Sequence, residues 1–238
     1  MNRAPSRLKV KGAALAVACA VLSLWATPSR ADPLSMRPRQ DFVAPAAGSY
    51  TLPVIQQGPQ GKVLNSDGRA RDIALYTRGA ITLLSFMYTY CTDPIACPLA
   101  YSTMLGLRER LLASPDLARR VRFVSLSFDP VNDTPEAMGR YAGKLAHADQ
   151  RLRWYFLTGQ SVRELAPIVD GLGQSVRVRR DAGGHPTRLY DHMLKLFLFD
   201  AQGRVREIYS SAFLQADVMY NDMHTLAIEQ DRAVRPQP

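Results

Sequence analysis

A buried-strand pattern that runs directly into a pair of cysteines constrains this chain more than any other feature. Residues 80–88 read Ala-Ile-Thr-Leu-Leu-Ser-Phe-Met-Tyr, a run without a charged residue. Such a run is typical of a central strand in a sheet that is covered on both faces. The chain must therefore build layers on both sides of a sheet, which predicts an α/β protein.

Strand and helix patterns alternate around this run. Two hairpins are predicted, at residues 62–64 and 72–75 around the turn 65–68, and at residues 194–199 and 204–209 around the turn 200–203. Further strands are predicted at residues 121–128 and 154–157. Helices are predicted at residues 98–112, from Pro135 after an N-cap at Thr134, at residues 162–169 and at residues 215–228. This order predicts a thioredoxin-like fold, a central mixed sheet flanked by helices with an N-terminal hairpin.

The first 31 residues have the pattern of a secretory signal peptide. Basic residues precede the uncharged apolar run 12–26, and Ser29 and Ala31 are the small residues expected before a cut at Asp32. A membrane-spanning helix needs about 20 apolar residues, so an uncleaved anchor is the second choice. We expect a signal peptide at 1–31, a linker at 32–50, one domain at 51–230 and a frayed tail at 231–238. The expected location is the periplasm or another exported compartment.

Export changes both the charge and the cysteine count. The formal net charge is +9, and removal of the five basic residues of the signal leaves about +4, spread along the chain. No basic run is interleaved with aromatic residues, so the sequence disfavours a nucleic-acid partner. Cys19 lies in the signal, which leaves Cys91 and Cys97. An oxidising compartment permits a disulfide between them, but so short a loop adds little stability, so the pair indicates chemistry.

The cysteines lie where the buried strand ends and a helix begins. Pro98 suits the first helical position, which would place Cys97 at the N-cap beside the positive end of the helix dipole. This environment favours the thiolate, and two thiolates suit Cu(I). His192 directly precedes the last hairpin, which in this fold packs near the loop after the first long strand. His192 is therefore a candidate third ligand, with Asp191 expected to orient the loop or the imidazole.

Several motifs together resemble the SCO/SenC family, the copper proteins of cytochrome c oxidase assembly. The matching residues are Tyr88-Thr89 and Cys97-Pro98, Phe128-Asp129-Pro130, Asp133-Thr134-Pro135, Trp154, Leu157-Thr158-Gly159 and Asp191-His192. The resemblance covers residues 61–226 and implies a thioredoxin fold in which Cys91, Cys97 and His192 bind one copper ion per chain. The family motif has three residues between its cysteines, whereas this chain has five, Thr92 to Ala96.

The resemblance implies a copper metallochaperone, which is a binding protein and not an enzyme. Its expected partners are the copper-site subunit of a respiratory oxidase and other copper or thiol-redox proteins. The alternative is a thiol–disulfide oxidoreductase that reduces the cysteines of the target site; the five-residue spacing disfavours it, because redox motifs of this fold have two. A thiol peroxidase is a third alternative, but the run Tyr88-Thr89-Tyr90-Cys91 lacks the expected Thr-x-x-Cys turn.

Other candidate residues have ordinary explanations. Asp129 is either close to the site or a turn-capping carboxylate. Helical spacing relates Met219, Met223 and His224 near the C-terminus. These residues either fill the core or offer additional copper ligands. For the two methionines, a place in the core is favoured. His185 is interpreted as a loop residue.

Overall fold

The computed structural model describes residues 43–146 and 150–234. The predicted signal peptide, residues 32–42 of the predicted linker and residues 235–238 of the predicted tail lie outside the described residues. Within the described ranges, no helix combines the length and hydropathy that crossing a membrane requires.

Ten strands and six helices follow one another in these residues. The strands are β1 (Gln56–Gln57), β2 (Lys62–Leu64), β3 (Ala70–Asp72), β4 (Ile81–Met87), β5 (Val121–Ser127), β6 (Arg153–Leu157), β7 (Val176–Arg180), β8 (Pro186–His192), β9 (Lys195–Phe199) and β10 (Arg204–Ser210). The helices are α1 (Ala74–Thr77), α2 (Ala96–Leu112), α3 (Pro115–Ala118), α4 (Pro135–Ala142), α5 (Val162–Gly171) and α6 (Ala216–Val234).

Six of the strands form one mixed sheet in the order β1-β10-β9-β4-β5-β6. β4 pairs in parallel with β5, and β5 with β6, whereas β9 runs antiparallel to β4. β2–β3 and β7–β8 are separate two-stranded hairpins. The central position of β4 agrees with its sequence pattern, since its first six residues are buried. The predicted mixed sheet, its flanking helices and the N-terminal hairpin are confirmed, but the second strand of that hairpin is Ala70–Asp72 and not residues 72–75, because α1 begins at Ala74.

The sheet separates two apolar cores. One core packs residues of α2, α3, α4 and α6 against one face, with Leu83, Phe123 and Leu198 from the strands. The other packs α5 and the region of the β2–β3 hairpin against the opposite face, with Leu84, Val124 and other strand residues. Alternate residues of β4 and β5 point to opposite faces, and both faces are covered, which explains why both strands are buried almost throughout.

Contacts with α6 involve residues at both ends of the predicted domain. Within the predicted linker, the Gly48 N–H donates to Thr225 Oγ1 at 2.9 Å, and the Tyr50 hydroxyl donates to Asp222. The final helix was predicted to end at Ile228, but α6 continues to Val234, into the predicted frayed tail. Arg120 lies against this last part and donates to the Ala227 carbonyl, Gln230 and Asp231. Tertiary contacts therefore extend to residues on both sides of the predicted domain 51–230.

The β7–β8 hairpin was not predicted. β7 reads Val-Arg-Val-Arg-Arg and is mostly exposed, so it lacks the buried face that a strand pattern normally shows. Its strand state depends on pairing with β8, in which Val176 is opposite His192 and Val178 is opposite Tyr190. This hairpin matters for the site because His192 is the last residue of β8.

Candidate metal centre

The loop between the two cysteines is shaped by Asp93. Its Oδ1 accepts hydrogen bonds from the backbone N–H groups of Ile95 and Ala96, at 2.8 and 2.7 Å. Those hydrogen bonds lower the pKa of the Asp93 carboxyl. They also satisfy N–H groups at the start of α2, the usual role of an N-terminal cap. The additional residues of this loop therefore form a turn that leads directly into the helix.

The start of α2 differs from the prediction. The helix begins at Ala96 and not at Pro98, so Cys97 lies within the first turn and is not the N-cap. Pro98 is still tolerated, because the N–H groups of a first turn have no partner within the helix. The sequence signal that was missed is Asp93, an acidic residue just before the helix.

The structure places Cys91, Cys97 and His192 together. Each offers one ligand atom, and these three atoms all lie within 4.8 Å of one another; all three residues are partly buried. Cys91 follows β4 through a turn in which its N–H donates to the Tyr88 carbonyl at 3.3 Å. His192 ends β8, just before β9 pairs with β4. Two sulfurs and one imidazole form a group that could bind a metal ion.

The imidazole of His192 is packed against aromatic rings. Its centroid lies 4.9 Å from that of Phe128 and 6.0 Å from that of Tyr88. Burial lowers the pKa of His192, while the carboxylates of Asp93 and Asp191 act in the opposite direction. Nδ1 is buried without a hydrogen-bond partner among the described residues. A neutral imidazole with an unused nitrogen suits a metal ligand, so this residue fits the expected chemistry.

In this structure the two sulfurs are joined as a disulfide. The Cys91–Cys97 S–S distance is 2.04 Å, and the two Cα atoms are 6.7 Å apart. Thiolates, not disulfide sulfurs, are the strong metal ligands of cysteine. The group therefore has two chemical states: an oxidised one without thiolates, and a reduced one that offers two thiolates beside the imidazole.

Two buried carboxylates support the segment before Cys91. Asp133 is fully buried and accepts from the Thr89 N–H at 2.9 Å, the Thr89 hydroxyl and the Ser127 hydroxyl at 2.6 Å. Asp129 is also fully buried and accepts from the Tyr90 hydroxyl and from Asn132 Nδ2. Asp129 therefore lies near the site, which was the first of its two alternatives, because it contacts Tyr90, the residue before Cys91.

A cavity of about 380 Å³ opens beside the three ligand residues. Its wall includes Cys91, Cys97 and His192. The rest of the lining is mainly apolar and includes Met87, Tyr88, Tyr101, Met104, Trp154 and Leu194. Trp154 Nε1 donates to Ser125 Oγ at 3.0 Å, which satisfies both polar groups inside this otherwise apolar space. The ligand group therefore borders a concave surface of low polarity.

The other candidate residues lie outside this group. Asp191 is exposed and accepts from Arg179 Nε at 2.7 Å, so it stabilises the β7–β8 hairpin, and no described hydrogen bond joins it to the imidazole. His185 is 80% exposed in its side chain and lies beside Asp181 at the turn of the same hairpin. Met219 and Met223 are fully buried in the core, as favoured. His224 is exposed on α6 beside the ring of Tyr220.

Sequence comparison identifies a family. A model of the SCO1/SenC family matches residues 57–227 of the chain. The SCO1 protein homolog of Bacillus subtilis (strain 168) is 31% identical over 102 residues, which are 42% of this chain and 48% of that protein. The chain thus matches about half the length of this curated relative.

Solved structures share the fold. A SCO1/SenC family lipoprotein from Bacillus anthracis str. Ames has a TM-score of 0.59 at 24% identity, over 74% of this chain and 97% of that one. Arabidopsis thaliana ScoI with copper bound has a TM-score of 0.56 at 19% identity, over 72% and 98%. BsSco, a Sco protein of cytochrome c oxidase assembly with a disulfide switch, has a TM-score of 0.55 at 22% identity, over 77% and 98%. These likenesses confirm the thioredoxin-like α/β fold.

Proposed function

The chain belongs to the SCO1/SenC family, and we propose that it is a copper metallochaperone that binds one copper ion through Cys91, Cys97 and His192. The observation behind this proposal is the convergence of these ligand atoms within 4.8 Å of one another. Arabidopsis thaliana ScoI, which shares the fold, is a copper-bound protein. Copper is the cargo here, received and then delivered.

The donor set favours copper in its reduced state. Two thiolates are soft ligands that select Cu(I), and an imidazole suits copper in either oxidation state. The aromatic rings of Tyr88 and Phe128 exclude water from one side of His192. The adjoining cavity leaves another side open to an approaching protein. Such a group can bind a soft ion and still exchange it with the ligands of a partner.

The proposed recipient is the copper-site subunit of a respiratory oxidase. BsSco is described as a cytochrome c oxidase assembly protein, and this chain shares its family and fold. Delivery by ligand exchange needs the ligand residues near the surface, and Cys91, Cys97 and His192 are all partly exposed. Other copper or thiol-redox proteins are the proposed partners for loading and for reduction of the disulfide.

A thiol–disulfide oxidoreductase remains the second candidate, because the two cysteines are close enough to form the observed disulfide. In that reaction the reduced Cys91–Cys97 pair transfers two electrons and two protons to a disulfide in the target. The target disulfide becomes two thiols, and the Cys91–Cys97 disulfide forms. This chemistry depends on thiolate reactivity and access, and it does not require an imidazole ligand.

The variant His192→Ala separates the two functions, since both need the cysteines. We expect it to abolish rescue of oxidase activity in a strain lacking the protein, while both thiols remain titratable and the circular dichroism spectrum is unchanged. His185→Ala is the matched control, because His185 is an exposed histidine of the same hairpin outside the ligand group. Full rescue by His192→Ala at native expression would refute the copper function and favour the reductase.

We also propose that the protein is exported, with residues 1–31 as signal peptide and 51–230 as the copper-binding domain. The basic residues, the apolar run and the Ser29-Arg30-Ala31 site support this assignment. N-terminal sequencing of the native protein should give a start near Asp32. Recovery only from membranes, with an intact Met1, would show instead that the N-terminal segment is an anchor.

A further inference from the structure

A second cavity lies at the opposite end of the parallel strands from the cysteines. Its volume is about 360 Å³, and the polar side chains in its lining are Arg119, Arg122, Gln150, Arg151, Arg153 and Tyr155. No acidic residue is among the described residues that line it. β4 rises about 3.3 Å per residue, so its two ends are separated by about 20 Å. This cavity is therefore distinct from the metal centre.

Two of these arginines are neighbours across the sheet. Arg122 on β5 and Arg153 on β6 are paired in register, so their side chains leave the same face of the sheet. Like charges directly opposite each other on adjacent strands are destabilising. An arginine pair at this position is expected to gain stability when an anion lies between the two guanidinium groups.

The charge of Arg122 is not neutralised within the described part of the chain. Its guanidinium donates to Thr82 Oγ1 at 2.9 Å, to the Leu75 carbonyl at 3.0 Å and to the Arg78 carbonyl, which are three neutral oxygens. Burial lowers the pKa of Arg122, and the neighbouring Arg153 lowers it further. A guanidinium has five N–H donors, so donors remain for a ligand.

Among the described residues, Arg153 and Arg119 have no buried acidic partner. Arg153 Nη1 contacts the Tyr155 hydroxyl at 3.5 Å. Arg119 pairs with Asp116, whose side chain is 98% exposed. An exposed ion pair is screened by water and does little to offset the charge of the half-buried Arg122.

We propose that this cavity binds a phosphate group between Arg122 and Arg153. The guanidinium fork matches the geometry of phosphate oxygens and can bind two of them at once. The Tyr155 hydroxyl offers a further donor at the wall of the cavity. The phosphate belongs either to a soluble molecule or to the headgroup of an anionic phospholipid.

The first test measures inorganic phosphate binding to the purified protein by isothermal titration calorimetry, with sodium chloride at matched ionic strength as the reference. The variant Arg153→Gln should weaken binding about tenfold, the loss expected for one charge-assisted hydrogen bond. Arg163→Gln is the matched control, because it removes one exposed positive charge on α5, outside the cavity. Absence of phosphate binding, or equal weakening in Arg163→Gln, would overturn the proposal.

Two further measurements complete the test. Phosphate added to isotopically labelled wild-type protein should shift the amide resonances of Val121 and Arg153 and leave those of Cys91 and His192 unchanged. This measurement needs no variant.

Sedimentation with phosphatidylglycerol vesicles, compared with phosphatidylcholine vesicles, identifies the source of the phosphate group. Retention that Arg153→Gln loses and Arg163→Gln keeps assigns the site to a lipid headgroup. Phosphate binding without such retention assigns it to a soluble phosphate.

Discussion

The two ends of the parallel strands carry opposite chemistry. At the carboxyl ends, Cys91, Cys97 and His192 converge beside the aromatic rings of Tyr88 and Phe128. At the amino ends, arginines line a cavity without an acidic residue among its described lining. The first end offers soft, polarisable ligands, and the second offers charged donors that suit a hard oxyanion.

This difference arises although the same strands supply both ends. The interior of β4 and β5 is buried almost throughout and does not distinguish one end from the other. At the carboxyl end, Asp93 and Asp133 in the adjoining segments position the residues around the cysteines. At the amino end, Arg122 and Arg153 lie near the starts of β5 and β6, and Asp200 at the β9–β10 turn lies beside the start of β4. Sites of different chemistry are therefore placed at the two ends of one scaffold by the terminal residues of its strands and by the adjoining loops. Substitutions at each end test this comparison.

The largest effect is expected from removal of one sulfur at the carboxyl end. Cys97→Ser should lower copper affinity more than about a hundredfold, since loss of groups that only orient a ligand already costs 10–100-fold. Competition with a Cu(I) chelator under reducing conditions measures the affinity. Thr92→Ala, an exposed substitution in the same loop, should retain copper. A Cys97→Ser protein with wild-type affinity would exclude the proposed ligand set.

The next largest effect, a loss of stability, is expected from Asp200→Asn at the amino end. Asp200 is 2% exposed and accepts from Arg204 Nε at 2.8 Å and Arg206 Nη1 at 3.1 Å. Loss of the carboxylate leaves Arg206 with one fewer partner in a buried site, so the free energy of unfolding should fall by about 3 kcal/mol at pH 7. Urea denaturation measures it. Asp116→Asn, in an exposed pair, should change it by less than about 0.5 kcal/mol.

The effect of Asp200→Asn should depend on pH. Burial alone would raise the pKa of Asp200, but the hydrogen bonds from Arg204 and Arg206 outweigh it and lower the pKa below its ordinary 3.8. A lowered pKa in the folded state stabilises the protein above the ordinary pKa, and this stabilisation is lost as the pH falls through the folded value. The difference between wild type and variant should therefore narrow below about pH 4. A difference that is constant across this range would show that the ion pair is not its cause.

A smaller loss of stability is expected from Asp133→Ala at the carboxyl end. The change leaves the Thr89 N–H and two hydroxyl groups without their acceptor in a buried position, which should cost about 2 kcal/mol. Asp133→Asn keeps an acceptor oxygen and should lose less. Urea denaturation of both variants tests this order, and an alanine variant as stable as the asparagine variant would contradict it.

The smallest effect is expected from Asp93→Ala. Loss of the cap on α2 should lower the free energy of unfolding by about 1 kcal/mol. Asp93→Asn should restore most of it, because asparagine caps helices about as well as aspartate. Thermal unfolding of the disulfide-bonded proteins measures both. Equal destabilisation by alanine and asparagine would show that charge, and not capping, is responsible.

Most elements with a local pattern were predictable. The apolar run of β4, the β9–β10 hairpin and the Thr134-Pro135 start of α4 were identified from local patterns, and the Thr134 side chain does accept from the Ala137 N–H. The turn at residues 65–68 was identified too, but the strand after it was predicted too late in the chain, at 72–75. Two of the errors occur where contacts distant in sequence decide the outcome. Arg120 stabilises the end of α6, and pairing with β8 makes a strand of the exposed, arginine-rich β7.

The candidate site also has one part that could be predicted from local sequence and one part that could not. The sequence by itself predicted Cys91, Cys97 and His192 as ligands, because residue type and neighbouring motifs are local properties. Their convergence was decided only by tertiary structure, since β9 must pair with β4 before the end of β8 can approach the cysteines. The arginine cavity was not foreseen at all. Arg122 and Arg153 are separated by a helix and a loop in the chain, and only the register of β5 with β6 makes them neighbours.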